Sequence, residues 1–162
     1  MAKSRATAAL DRAGVSYSLH AYAYDPAAER IGADAAEKLG VPPATVLKTL
    51  VAQVDGNPVC VLVPSDGEVS MKRLATAFGG KAAEMLAPKA AERLTGYHVG
   101  GISPFGHPRR IPTVIEAAAL AHDAVFLNGG QRGLQLRLRP SDLVALLDAK
   151  VAPLLAESRA RT

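Results

Sequence analysis

Cysteine, aromatic residues and blocks of like charge are all scarce in this chain, and each shortage closes off a class of function. The single cysteine, Cys60, has no partner for an internal disulfide, and no CxxC or Cys/His spacing suits a zinc site. A reducing, cytoplasmic setting is expected. Aromatics make up 4% and tryptophan is absent, which disfavours a site built as a platform of stacked rings. No run of five like charges forms a nucleic-acid tail, and a net charge of +4 gives only a mild preference for anionic partners. No apolar stretch approaches the roughly 18 to 20 residues of a membrane helix, and the opening "MAKSRATAALDRAGV" lacks a secretory core. A soluble protein without membrane association is expected.

What the chain has is apolar mass: 49% hydrophobic against 21% charged over 162 residues, enough for one core without disulfides or metals. No repeat or low-complexity linker divides it, so residues 1–162 are expected to form one domain. Helical spacing of Ala8, Ala9, Leu10 and Ala13 before Gly14 predicts a helix over 4–13, and "VSYSLHAYAY" alternates as a strand. A second helix is predicted from Ala27 to Leu39, closed by Gly40 and the pair Pro42 and Pro43.

Two Val-rich runs, 46–54 and 58–64, flank "DGN" and predict a hairpin. Two short helices follow, one capped by Ser70 and stopped by Gly79, the other "APKAAERLTG". Strands are predicted at "TVIEA" and "AVFLN" around a helical "AAALAH". In "GLQLRLRP" the leucines alternate with Gln135, Arg137 and Arg139, giving one wet face. A closing helix carries Leu143, Leu147, Val151 and Leu154 on one stripe, with Ser141 as cap and Pro153 as kink or end. The fold class is α+β, a mixed, mostly antiparallel and barrel-like sheet surrounded by short helices.

The least ordinary stretch is "GYHVGGISPFGHPRRIP", residues 96–112, with four glycines and three prolines. It is not a P-loop, because His107 and Pro108 stand where Lys and Ser/Thr are required and a strand follows. "GGQRG" at 129–133 lies between strands and lacks the helix of a dinucleotide fingerprint. The histidines His20, His98, His107 and His122 show no metal-ligand spacing, so neither metal nor cofactor is expected. Cys60 within "VCVLV" reads as a buried thiol, and Ser103 has no GxSxG context.

Lys48 interrupts an apolar strand and either reaches solvent or is held by an anionic or polar partner. The paired glycines bring backbone N–H groups close enough to cup a carbonyl or oxyanion.

The ordered segments "HAYAYD", "VLKTL", "TGYHVGGISPFG", "RIPTVIEA", "GGQRGLQL" and "LLDAK" resemble the YbaK/ProX family of aminoacyl-tRNA deacylases, relatives of the prolyl-tRNA synthetase editing domain. The resemblance implies hydrolysis of a wrong amino acid from the 3′ end of tRNA(Pro), with Cys-tRNA(Pro) favoured and the substrate thiol attacking its own ester carbonyl. Editing by a second site answers a limit of binding, which discriminates poorly among small side chains.

By motif, Lys48, Gly100 and Gly101 take the central roles, Lys48 as polar anchor and the glycines as carbonyl cradle. Tyr22, Thr49, Ile102, Ser103, Pro104, Asn128, Gly129, Gly130 and Gln135 line the substrate site, and Arg109 and Arg110 meet tRNA phosphates. Asn128 and Gln135 depart from the family's "SGG" and "GLDI", which removes a carboxylate from the pocket. A ProX-like preference for Ala-tRNA(Pro), and a non-catalytic module that binds tRNA or prolyl-tRNA synthetase, stay open beside the main reading.

Overall fold

The computed structural model of the chain describes residues 4–28 and 31–157. In chain order the elements are α1 Arg5–Ala13, β1 Ser18–Ala21, α2 Ile31–Leu39, β2 Leu47–Val54, β3 Asn57–Pro64, α3 Met71–Ala77, β4 Ala83–Met85 and α4 Pro88–Thr95. There follow β5 Thr113–Glu116, β6 Val125–Asn128, β7 Leu134–Leu138, α5 Pro140–Leu147 and β8 Lys150–Ala152. Turns of 3₁₀ helix occupy Pro43–Thr45 and Ala117–Ala121, the latter in place of the predicted helical "AAALAH".

Local chemistry explains most boundaries. Ser4 and Thr7 form a reciprocal capping box at the start of α1, and Gly14 at φ 71° ends it. The Ser70 hydroxyl accepts from the Arg73 N–H at the start of α3. Asp55 and Gly56 both take positive φ, so the β2–β3 hairpin closes in register at Val54 opposite Asn57.

The strands form two sheets rather than a closed barrel. One runs β4-β2-β3-β5-β8, the other β1-β7-β6. Pairing is antiparallel except at β3–β5 and β5–β8. The principal core lies between the sheets, where Leu47, Cys60, Leu62 and Ile115 meet Leu127, Leu136 and Leu138 under Leu10 of α1 and Leu143 of α5. A second core covers the other face of the larger sheet, with Val61, Val63 and Val114 packed against Leu74 of α3 and against Leu154. Near one end the sheets approach through the parallel bridge Val46–Phe126, capped by Ala36 of α2.

Several expectations need correction. Helix α2 begins at Ile31 rather than Ala27, with a turn at residues 26–27; Glu29 and Arg30 lie outside the described residues. The closing helix stops at Leu147, where Asp148 turns left-handed at φ 49°, and the chain then pairs as β8 with β5. Val151 is therefore exposed while Leu154 is buried, although both continue the helical stripe. Ser141 is not the cap; Arg139 holds that position with Pro140 in the first turn.

Beyond β8 the chain is tied down by Glu116. Its buried carboxylate accepts from the N–H groups of Ala118 at 2.7 Å, Leu154 at 2.7 Å and Leu155 at 3.2 Å, which together offset its loss of water. Residues 154–156 hold the turn before α3 in place, because Ser70 N–H donates to Leu154 O and Ala156 N–H to Glu68 O. Gly67 lets Leu155 pack close, since a Cβ there would stand 2.6 Å from Leu155 Cδ2 and the leucine would have to shift.

Candidate active site

A cavity of about 500 Å³ opens at the seam between the two sheets. Its walls are the start of β2, the Ser65–Glu68 turn, the first residues of α2, the loop at Val99, Gly100 and Ile102, and Asn128 and Gln135 at the facing ends of β6 and β7. Among the described residues, Lys48 and Glu68 are its charged residues. Lys48 Nζ lies 3.5 Å from Glu68 Oε1, with the lysine side chain 26% exposed and the glutamate 71%. Of the two fates predicted for Lys48, an anionic partner is thus the one observed, and that partner was not legible in the sequence.

Three buried polar atoms have no hydrogen-bond partner among the described residues: Thr49 Oγ1 and Gln135 Oε1, whose residues line the cavity, and Tyr22 Oη, whose residue does not. Such atoms are costly unless a ligand or water completes them. Burial raises the Tyr22 phenol above its ordinary pKa, and the neighbouring Gln135 side chain draws it partway back. Gln135 is 4% exposed, so the predicted wet face of β7 holds at Arg137 but fails at residue 135. The reason is tertiary, for at that end of β7 the cavity and β2, not bulk solvent, lie opposite.

The glycine loop is held by side chains from three directions. Asn128 Nδ2 donates to Gly100 O at 3.0 Å, and Asn128 Oδ1 accepts from Gly130 N–H at 2.7 Å. Arg132 donates twice to Val99 O, through Nε at 3.0 Å and Nη2 at 2.8 Å, while its guanidinium lies over the Tyr24 ring. Glu92 Oε2 accepts from Val99 N–H at 2.8 Å. Gly100 has φ +93°, and a Cβ on it would meet Tyr24 Oη at 2.7 Å.

The residues of the loop divide by position. Gly100 and Ile102 face the cavity, and their N–H groups have no acceptor among the described residues. Gly101 is buried behind them, donates to His98 O at 2.8 Å, and packs on the backbone of Gln131 and Arg132. Ser103 is buried, its hydroxyl accepting from Phe105 N–H at 3.3 Å and its carbonyl facing His107 Nε2 at 2.7 Å. Burial lowers the His107 pKa. Pro104 lines a separate hollow with Phe105 and His107.

Gly129 and Gly130 form the β6–β7 turn, with Gly129 N–H donating to Leu134 O and Gly130 at φ +95°. They support Asn128 rather than line the cavity. Arg109 and Arg110 are exposed, and Arg110 borders hollows shared with Leu147, not this cavity. Cys60 is wholly buried, and burial pushes its thiol up to about 12. Among the described residues, no three His, Cys, Asp or Glu side chains converge as a metal site, and no helix is long and apolar enough to cross a membrane.

Sequence reasoning missed Glu68, Tyr24, Glu92 and Arg132. Glu68 sits in "SDGEVS", which carries no motif, and Arg132 in "GGQRG", a turn between strands. Only tertiary contact shows what they hold.

A family model described as the aminoacyl-tRNA editing domain matches residues 25–146. EbsC of Enterococcus faecalis, described as a candidate Cys-tRNA(Pro)/Cys-tRNA(Cys) deacylase, is 33% identical over 154 residues, covering 93% of this chain and 92% of that protein. A proline–tRNA ligase of Geobacter metallireducens is 37% identical over 92 residues, 57% of this chain but 16% of the ligase. A crystal structure of a candidate trans-editing enzyme for prolyl tRNA synthetase superposes with a TM-score of 0.80 at 26% identity, covering 94% of this chain and 96% of the other.

Proposed function

The chain belongs to the aminoacyl-tRNA editing domain family, and from that premise we propose that it is a cytoplasmic deacylase of mischarged tRNA, with Cys-tRNA(Pro) its favoured substrate. The observation that carries this reading is the cavity itself, which brings together Lys48, the unpartnered Thr49 Oγ1 and Gln135 Oε1, and two loop residues, Gly100 and Ile102, whose N–H groups have no acceptor among the described residues. The thiol of Cys60 is buried and the Ser103 hydroxyl is engaged within its own loop.

The protein's residues then position and stabilise. The Gly100 and Ile102 N–H groups receive the ester carbonyl oxygen as it gains charge, which fixed backbone donors do without reorganisation. Lys48 adds positive charge beside them. The substrate's thiol adds through sulfur to its own carbonyl carbon, the bond from that carbon to the ribose oxygen breaks, and the thiol's proton passes through solvent to the departing oxygen. Water then opens the cyclic thioester, while the cavity holds the reacting atoms in line. Thr49 and Gln135 orient the aminoacyl group, with Tyr22 behind Gln135. The exposed apolar side chains of Met85 and Val99 border the cavity and offer the terminal adenine a surface in place of an aromatic ring.

Arg109 and Arg110 would meet tRNA phosphates away from the cavity, each contact adding affinity that falls with salt. Prolyl-tRNA synthetase is the partner this reading favours for delivering tRNA(Pro).

The test is hydrolysis of Cys-tRNA(Pro), Ala-tRNA(Pro) and Pro-tRNA(Pro) side by side, with Lys48→Ala as control. The cysteinyl ester should be lost fastest, and the variant should lose at least about tenfold in kcat/KM, or about 1.4 kcal/mol, while melting with the wild type. Faster loss of the alanyl ester would move the protein to the ProX-like preference. Binding of tRNA with no turnover would make it a binding module and overturn the proposal.

A further inference from the structure

Lys48 and Glu68, the charged groups of the cavity among the described residues, face each other at 3.5 Å. That is longer than the 2.7–2.9 Å of a tight charge-assisted hydrogen bond, and the glutamate side chain is 71% exposed. The main chain beneath it is fixed, because Glu68 O accepts from Ala156 N–H, Ser70 N–H donates to Leu154 O, and Val69 bridges to Leu155. Glu68 is thus a carboxylate on a rigid base with a side chain free to turn.

An aminoacyl ester brings its own cation. Its α-amino group, with an ordinary pKa of about 7.7 to 8.0, is largely protonated at neutral pH, and an ammonium entering a cavity needs an anionic or multiply accepting partner. Gln135, at the inner end of β7, is a neutral amide, and Thr49 and Tyr22 offer only hydroxyls. Among the described residues, Glu68 is the carboxylate of the lining.

Resting on the proposed deacylase function, we infer that Glu68 is the receptor for the substrate's α-ammonium group. Substrate entry exchanges the Lys48–Glu68 pair for two new contacts: Glu68 takes the ammonium, and Lys48 turns to the ester and the adjoining phosphate. No charge is left unpaired in either state. An ester whose amine is acylated, as in a peptidyl-tRNA, cannot complete the exchange and is spared.

The experiment compares cysteinyl- and alanyl-tRNA(Pro) with their N-acetyl derivatives, using wild type and Glu68→Gln. Wild type should cleave the better free-amine ester about tenfold or more faster in kcat/KM than its N-acetyl form, the size expected of one hydrogen bond to a charged group. Glu68→Gln should abolish that ratio by losing rate on the free-amine ester alone. Persistence of the ratio in the variant, or an equal fall on both esters, would overturn the inference and leave Glu68 as a prop for Lys48. A wild-type ratio near one would overturn it as well. Failure of the wild type to cleave any of the esters would instead overturn the deacylase reading on which it rests.

Discussion

Replacing Asn128 by alanine removes both the donor to Gly100 O and the acceptor of Gly130 N–H. Each neutral hydrogen bond is worth about 1 kcal/mol net, and groups left without partners where the site is 9% exposed add to the loss, giving about 2 to 3 kcal/mol in all. For a chain of 162 residues, about 2 to 4 °C of Tm accompanies each kcal/mol. Asn128→Ala should therefore melt roughly 4 to 12 °C below wild type by calorimetry. Turnover should fall further than KM rises, because Gly100 N–H loses its fixed direction. Asn128→Asp sharpens the test. Its carboxylate still accepts from Gly130 but meets Gly100 O with a second oxygen, so the folded state raises its pKa above the unfolded value near 3.9. The stabilising form is the protonated one, present below that unfolded value and lost as pH rises through the folded pKa. The Tm deficit of Asn128→Asp should widen from pH 4 to pH 7. An Asn128→Ala protein that melts and turns over like wild type would refute the role assigned to this residue.

Two further outcomes follow from burial. A Cβ at Gly101 would stand 3.0 Å from Arg132 N and 3.1 Å from Gln131 C, both backbone atoms, so Gly101→Val should cost about 1 to 3 kcal/mol of stability, read by thermal melting; a wild-type Tm would show that the loop can yield. Cys60, wholly buried with its thiol pushed up to about 12, should react with a thiol reagent at pH 8 only as fast as the protein unfolds. Rapid stoichiometric labelling of native protein would contradict its placement.

The hairpin at "DGN", the capped helices and the unusual glycine loop were legible because their signals are local, carried by φ, caps and alternation within a few residues. The same is true of Lys48, whose intrusion into an apolar run marked it before its partner was known. Edge strands of three residues such as β4 and β8 leave too short a pattern to read, and β8 was further disguised by a helical stripe that continued through it. Gln135 was misread because alternation says which residues share a face, not whether solvent or another sheet lies beyond it. Glu68 was invisible for the opposite reason: its turn is exposed, and only the docking of residues 154–156 brings it to Lys48.

The Val46–Phe126 bridge leaves the cavity with one wall on each of two separately hydrogen-bonded sheets. Its bore is therefore governed by the spacing of those sheets, which Leu62, Leu127 and Leu136 set from the core between them. A methylene gained or lost at one of these positions retunes which side chain the pocket admits without altering any group that touches it. Substrate choice in such an architecture is a property of the wedge behind the wall, and drifts with ordinary core substitutions long before the polar groups change.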